Sequence, residues 1–239
     1  MDTSFLSRRA FLLGTAGAAA AGLSACSQTT SRAYYAEAQP LPVPPENQML
    51  AAMYGPKPDE PYPLPAIPYQ KIPPRFYRQV TENPTNERPG TIIVDTGGHF
   101  LYLTMEGGQA MRYGVGLGRA GFAWEGRGVI QYKREWPTWT PPAEMIGRQP
   151  ELAKYSAANG GMPPGLDNPL GARALYIFQN GQDTLYRLHG SPEWWSIGKS
   201  VSSGCVRLMN QDICDLYNRV SGKTPIIVTN LSGGGGLPV

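Results

Sequence analysis

The 239-residue sequence predicts a mainly β domain with a few short helices, set behind a proline-rich stretch. Three observations carry this. From Gly90 onward, short runs of β-branched and aromatic residues recur between glycine-bearing turns. Most of the prolines lie earlier, between residues 27 and 89, so the later runs are free to pair as strands. Only two segments of the domain, 142–149 and 210–220, read as helices.

In chain order, Ser7-Arg8-Arg9-Ala10-Phe11-Leu12 comes first, ahead of an apolar Ala/Gly-rich run that ends at Leu23. Paired arginines before a short apolar run read as a twin-arginine export signal over residues 1–25. The run has roughly 14 residues against the ~20 that a membrane-spanning helix needs, so a permanent transmembrane anchor is not expected. Leu23-Ser24-Ala25-Cys26 is similar to a bacterial lipobox, in which the cysteine becomes the lipid-modified first residue. The alternative is ordinary cleavage nearby, with Cys26 lost. The expected location is the periplasm or cell envelope, with the chain held to a membrane through Cys26.

Residues 26–89 include Pro40-Leu41-Pro42-Val43-Pro44-Pro45 and a second proline-rich run from Pro56 to Pro74. Proline removes a backbone donor and fixes φ, so no helix or central strand is expected here. The expectation is an extended, partly polyproline tether with a short ordered stretch near residues 75–80. Such a tether serves as a spacer or as a connector without a specific role.

The domain proper is expected over 90–230. Thr91-Ile92-Ile93-Val94-Asp95 and Phe100-Leu101-Tyr102-Leu103-Thr104 flank Thr96-Gly97-Gly98-His99, a hairpin pattern. The run 110–116 continues it, followed by strand candidates at 128–133, 174–179, 185–188 and 226–229. In 210–220, Ile213, Leu216, Tyr217 and Val220 recur at helical spacing behind Asn210, a suitable N-cap residue. The tail 231–239 is glycine-rich and expected to be flexible.

Charge excludes one class of partner. Without residues 1–25 the chain keeps 19 basic and 17 acidic residues and shows no basic stripe, so nucleic acid is not an expected ligand.

Chemistry concentrates on one cysteine. Cys205 sits in Ser202-Ser203-Gly204-Cys205-Val206-Arg207-Leu208, 16 residues after His189. A thiolate in a glycine-flanked turn attacks carbonyls, and a nearby imidazole takes its proton. Cys214 is read as a small helix residue, with a Cys205–Cys214 bridge as the alternative. Of the two histidines, His99 falls in a hairpin turn where exposure suffices to explain it. His189 ends a strand just before Gly190 and is the candidate base. Arg207, two residues beyond the nucleophile, shares its face on an extended chain and suits a carboxylate or carbonyl, or a structural ion pair. Ser191, Trp194 and Trp195 lie between base and nucleophile and are candidates to wall a cleft. The backbone N–H groups of Cys205 and Gly204, with Ser203, are candidates for an oxyanion site. This chemistry calls for no metal and no cofactor.

His189-Gly190-Ser191 and Ser202-Ser203-Gly204-Cys205-Val206-Arg207-Leu208 with Asn210 resemble the signature of the L,D-transpeptidases with a YkuD-type catalytic domain. Asn168-Pro169-Leu170-Gly171-Ala172-Arg173-Ala174 and Gly114-Val115-Gly116-Leu117-Gly118 support the resemblance, which covers about 90–230. It implies a sandwich-like fold of mixed β-sheets. It implies attack by Cys205 on the bond between a diamino acid and the terminal D-alanine of a peptidoglycan stem, through an acyl-enzyme passed to an amine. It implies a backbone carbonyl, not an Asp, as the group that orients His189. By their positions around Cys205 and His189, the candidate substrate-binding residues are Gly190, Ser191, Trp194 and Arg207.

Two departures stand out. Ser203 occupies a position where many members have a second histidine, and a Trp/Pro-rich segment, 124–164, replaces a shorter turn. The acceptor is left open: a diaminopimelate that becomes a cross-link, an amine of an envelope protein, a D-amino acid or water. A non-catalytic peptidoglycan-binding lipoprotein is the reading from another class.

Overall fold

A computed structural model of the chain describes residues 45–118, 125–202 and 204–231. The expected signal, Cys26 and the first part of the expected tether lie outside the described residues, as do Trp124, Ser203 and most of the tail. The helices are α1 (Pro45–Tyr54), α2 (Ala143–Arg148) and α3 (Asn210–Arg219). The strands are β1 (Gln79–Glu82), β2 (Ile92–Asp95), β3 (Phe100–Thr104), β4 (Gln109–Gly114), β5 (Leu117–Gly118) and β6 (Gly126–Glu135). Then follow β7 (Arg173–Gln179), β8 (Gln182–Ser191), β9 (Ser200–Ser202), β10 (Val206–Met209) and β11 (Thr224–Thr229).

Strand burial explains the sheet. All four residues of β2 are buried, as a central strand with covered faces requires. β7 and β8 form a hairpin through Asn180-Gly181, whose φ values of 51° and 77° are the left-handed pair that a two-residue turn needs. Nine strands run in the order β1-β4-β3-β2-β11-β6-β7-β8-β10, and β5 pairs with β9 in a small second sheet. The β2/β11, β8/β10 and β5/β9 pairs are parallel and the others antiparallel.

The long sheet folds back on itself. Gly116, just past β4, exchanges two 2.9 Å backbone hydrogen bonds with Arg207 of β10, the last strand in the order. Between the facing halves lies one core that includes Ile92, Leu101, Tyr113, Leu175, Leu188 and Leu208. α3 adds Ile213 and Leu216 to it. A fully buried side chain of this size contributes about 1.5–3 kcal/mol. The result is the mainly β, sandwich-like arrangement with short helices.

Lys133 closes α3. Its ammonium donates to the Tyr217 and Val220 carbonyls at 2.5 and 2.6 Å, satisfying groups that a helix C-terminus leaves open. At the other end Asn210 is not the N-cap. Met209 holds that position with no side-chain cap, and the Asn210 Oδ1 accepts the Ala172 N–H at 3.0 Å instead. A tertiary donor thus takes the oxygen that local capping would have used.

The tether expectation needs a larger correction. From Pro45 to Glu82 the chain is a folded strap against the domain: α1, 3₁₀ turns at Tyr69–Lys71 and Pro74–Phe76, and the edge strand β1. Proline is tolerated in the first turn of a helix, where the missing N–H has no intrahelical acceptor, and Pro45 opens α1 in that way. Tyr54, Leu64, Ile67, Ile72 and Phe76 are all buried, and their contacts outweigh the extended preference of the prolines between them.

Candidate active site

Register on the parallel pair β8/β10 builds the site. Leu188 faces Val206 and Gly190 faces Leu208; Leu188, Val206 and Leu208 are wholly buried in the core. Side chains alternate along strands, so His189 and its partner Arg207 point to the other face. One step before β10, Cys205 falls beside Arg187. Cys205, Arg187, His189 and Arg207 therefore share one side of two adjoining strands.

The turn before β10 needs its glycine. Gly204 has φ 138°, a conformation side-chain-bearing residues rarely adopt, and a Cβ there would meet only Tyr186 at 3.5 Å. The constraint is conformational, and it delivers Cys205 to the start of the strand. Cys205 is half-buried. Cys205 and Cys214 are both thiols and form no disulfide.

His189 is 4 % exposed. Its Nδ1 lies 2.5 Å from the Gly190 carbonyl, which can only accept, so Nδ1 carries the proton and Nε2 keeps the lone pair. Burial, reinforced by the charges of Arg207 and Arg187, depresses the His189 pKa to about 4, against the pull of the Gly190 and Pro169 backbone groups. Burial pushes the Cys205 thiol up, while the Arg187 backbone and the charges of Arg187 and Arg207 draw it back. At neutral pH His189 is therefore an uncharged imidazole.

The remaining expected residues have specific places. Arg207 Nη1 donates to the Glu193 carboxylate, so its guanidinium is in an ion pair. Gly190 is enclosed: a Cβ would lie 2.3 Å from Asn210 Oδ1, and its carbonyl serves His189. Ser191 is 2 % exposed and its Oγ accepts the Glu193 N–H. These two residues support the site from inside and do not line an open cleft. Trp194 packs on the cluster of Ile67, Ile72 and Phe76, whereas Trp195 is exposed. Trp136, from the Trp/Pro-rich segment, is buried and donates to Glu60 at 2.9 Å. His99 takes a left-handed φ of 60° in the β2/β3 turn, and its Nε2 meets Ser200 Oγ at 3.0 Å, so it has a structural bond as well as a turn position.

Sequence reasoning missed Arg187 and Glu193. Arg187 is clamped by both Asp183 oxygens at 2.7 and 2.8 Å and stacks over Tyr176 at 4.4 Å. Its place two residues before His189 was a usable signal, since alternation puts both on one face. Glu193 meets Arg207 across a loop, and no local pattern announces that. Among the described residues, no group of three or more His, Cys, Asp or Glu side chains is arranged to hold a metal ion.

A thiol in a glycine turn, a neutral imidazole on the neighbouring strand and two flanking arginines define a β-domain with a cysteine–histidine pair. The sequence profile of YkuD, the L,D-transpeptidase catalytic domain, matches residues 89–228, and the chain belongs to this family. It is 41% identical over 101 residues to the probable L,D-transpeptidase YbiS of Escherichia coli (strain K12), covering 41% of this chain and 29% of that protein. It is 31% identical over 145 residues to the probable L,D-transpeptidase ErfK/SrfK of the same strain, covering 60% of this chain and 44% of that protein. The matched stretches are thus less than half of each of those relatives. A crystal structure described as a probable carnitine operon oxidoreductase caia from Brucella melitensis is 42% identical, with a TM-score of 0.46, and covers 64% of this chain and 94% of that one.

Proposed function

We propose that the chain is an L,D-transpeptidase acting on peptidoglycan stem peptides, with Cys205 as nucleophile and His189 as general base. The observation that carries this reading is the β8/β10 register, which puts thiol and imidazole on one face while the Gly190 carbonyl commits His189 Nδ1 as a donor. Cys205 Sγ attacks the carbonyl between the diaminopimelate and the terminal D-alanine as Nε2 takes the thiol proton. We take the backbone N–H groups of Gly204 and Cys205 as the donors to the developing oxyanion; a donor of this kind is worth ~3 kcal/mol in the transition state. The imidazolium returns its proton to the departing D-alanine amine, leaving a thioester. An acceptor amine then attacks the thioester, His189 takes its proton, and the thiol is regenerated.

The acceptor we propose is a second diaminopimelate, which gives a cell-wall cross-link. Incubating the chain with tetrapeptide muropeptides and reading products by mass spectrometry tests this. Dimers with loss of D-alanine support it. Hydrolysed or exchanged stems, or stems joined to a protein amine, redirect the acceptor while keeping the acyl-enzyme. Absence of any adduct on Cys205, with a carbapenem as well as with muropeptides, overturns the reading.

We also infer export to the periplasm or envelope and a lipid anchor at Cys26. The paired arginines, the short apolar run and Leu23-Ser24-Ala25-Cys26 support it. Metabolic labelling with a palmitate analogue is expected to tag the wild type; equal labelling of Cys26→Ala removes the anchor.

A further inference from the structure

The family match begins at residue 89, yet the strap ahead of it is fastened to the domain at three places. Glu60 accepts Arg173 Nη2 at 2.8 Å and Trp136 Nε1 at 2.9 Å. Gln211 of α3, 1 % exposed, donates its amide to the Gly55 and Pro65 carbonyls at 3.1 and 2.9 Å. Arg78 lies 3.6 Å from Asp212 and 3.3 Å from Asp215.

Between these points the strap drives one ring under the site. Phe76, 3 % exposed, shares a cluster with Ile197 and Met209, and Trp194 packs against that cluster. A Cβ added to Gly198 would lie 2.3 and 2.4 Å from carbons of the Phe76 ring, and one added to Gly114 would lie 2.6 Å from the Phe76 Cβ. The ring thus occupies the space that Gly198 leaves open, and the Phe76 backbone and Cβ occupy the space that Gly114 leaves open. Gly114 ends β4, and the next residues hold the nucleophile strand, since Gly116 exchanges hydrogen bonds with Arg207. Gly198 lies in the loop from His189 to Cys205 and donates to the Val115 carbonyl at 2.9 Å, while Leu117 donates to the Lys199 carbonyl at 2.9 Å. Phe76 therefore touches both the segment that pairs with the strand after Cys205 and the loop between His189 and Cys205.

On the reading of Cys205 as an acyl-carrying nucleophile, we infer that the strap is a working part of the catalytic domain, with Phe76 as the positioning residue that sets the 194–198 loop and, through it, the Gly204–Cys205 turn. A misplacement of ~1 Å at a reacting centre costs up to about a hundredfold in rate, so packing beneath the loop is enough to govern acyl transfer.

The test uses the full chain and three variants. Phe76→Ala removes the ring and Phe76→Leu keeps most of its volume. Ile93→Ala opens the cluster of Ile93, Tyr102 and Ala110, which does not include Phe76 and borders its cluster through Phe100, as a comparison loss of packing. Two rates are read by mass spectrometry on folded protein: acylation of Cys205 by a carbapenem, and alkylation of Cys205 by iodoacetamide. Phe76→Ala is expected to acylate about tenfold or more slowly, and to alkylate faster because the turn loosens. Phe76→Leu is expected to fall between Phe76→Ala and wild type, and Ile93→Ala to keep both wild-type rates despite a lower Tm. Wild-type acylation and alkylation in Phe76→Ala overturn the inference. If that variant does not fold, wild-type rates in Phe76→Leu overturn it. A wild type that alkylates but never acylates sinks the proposed function instead, and the alkylation rates still decide the role of Phe76.

Discussion

Arg207 on β10 lies directly opposite His189 on β8, and Glu193 holds its guanidinium. The pairing places a permanent cation beside the His189 imidazole. A protonated His189 would be cut off from water by its burial and would also face that charge and the Arg187 charge. Burial, reinforced by those charges, therefore keeps His189 neutral.

The first consequence is a shifted acid limb. An ordinary histidine near 6.5 would lose its basic form below that pH, whereas His189 keeps it down to about 4. The rate of Cys205 acylation by a carbapenem is expected to be flat from pH 5.5 through neutrality and to fall only near ~4. An acid limb centred near 6.5 in a stopped-flow pH series contradicts this.

Arg187 favours the thiolate through its charge and its backbone. In Arg187→Gln the thiol pKa is expected to rise, lowering the rate of iodoacetamide alkylation at pH 7.5 by roughly threefold or more. The rates are expected to converge at high pH, once both thiols are ionised. A uniform reduction at every pH would point to altered access.

Asp212, fully buried beside Arg78 and Asp215, has its pKa raised to about 7, chiefly by burial. Its folded value exceeds the unfolded 3.8, so its contribution is fully present below about 3.8 and lost as pH rises through 7. His189 works in the opposite sense: its folded value is depressed, and stability is lost as pH falls from 6.5 through 4. Asp212→Asn cannot ionise. Relative to wild type it is expected to gain stability at pH 7.5 compared with pH 4.5, by several degrees of Tm at ~2–4 °C per kcal/mol. An equal Tm difference at both pH values in paired calorimetric scans contradicts the assignment.

Gly190 admits no side chain, because a Cβ would strike Asn210 Oδ1 and press on Ile213. Gly190→Ala is expected to cost about 1–3 kcal/mol by overpacking, and to slow acylation by moving the carbonyl that orients His189. Urea denaturation and the acylation rate check the two effects separately. A variant as stable and as fast as wild type would show that α3 yields to the added methyl.

Legibility followed the range of the interactions. The hairpin strands, the two domain helices and the Gly204-Cys205 turn were legible because alternation, helical spacing and glycine are local signals. Asn210 was misread because its oxygen satisfies Ala172, 38 residues away, in place of a helix terminus. The strap was misread because proline content is a local statistic, whereas the burial of Tyr54, Ile67 and Phe76 comes from residues far along the chain.

The sequence by itself determined the family and the mainly β fold, because a motif and strand alternation belong to residue types and their immediate neighbours. Tertiary structure alone decided the protonation pattern and the support. The neutrality of His189 depends on burial and on arginines from two strands, and Gly198, in the loop from His189 to Cys205, packs on Phe76, 122 positions earlier in the chain. Desolvation and packing are properties of a filled three-dimensional space, and no short window of sequence contains them.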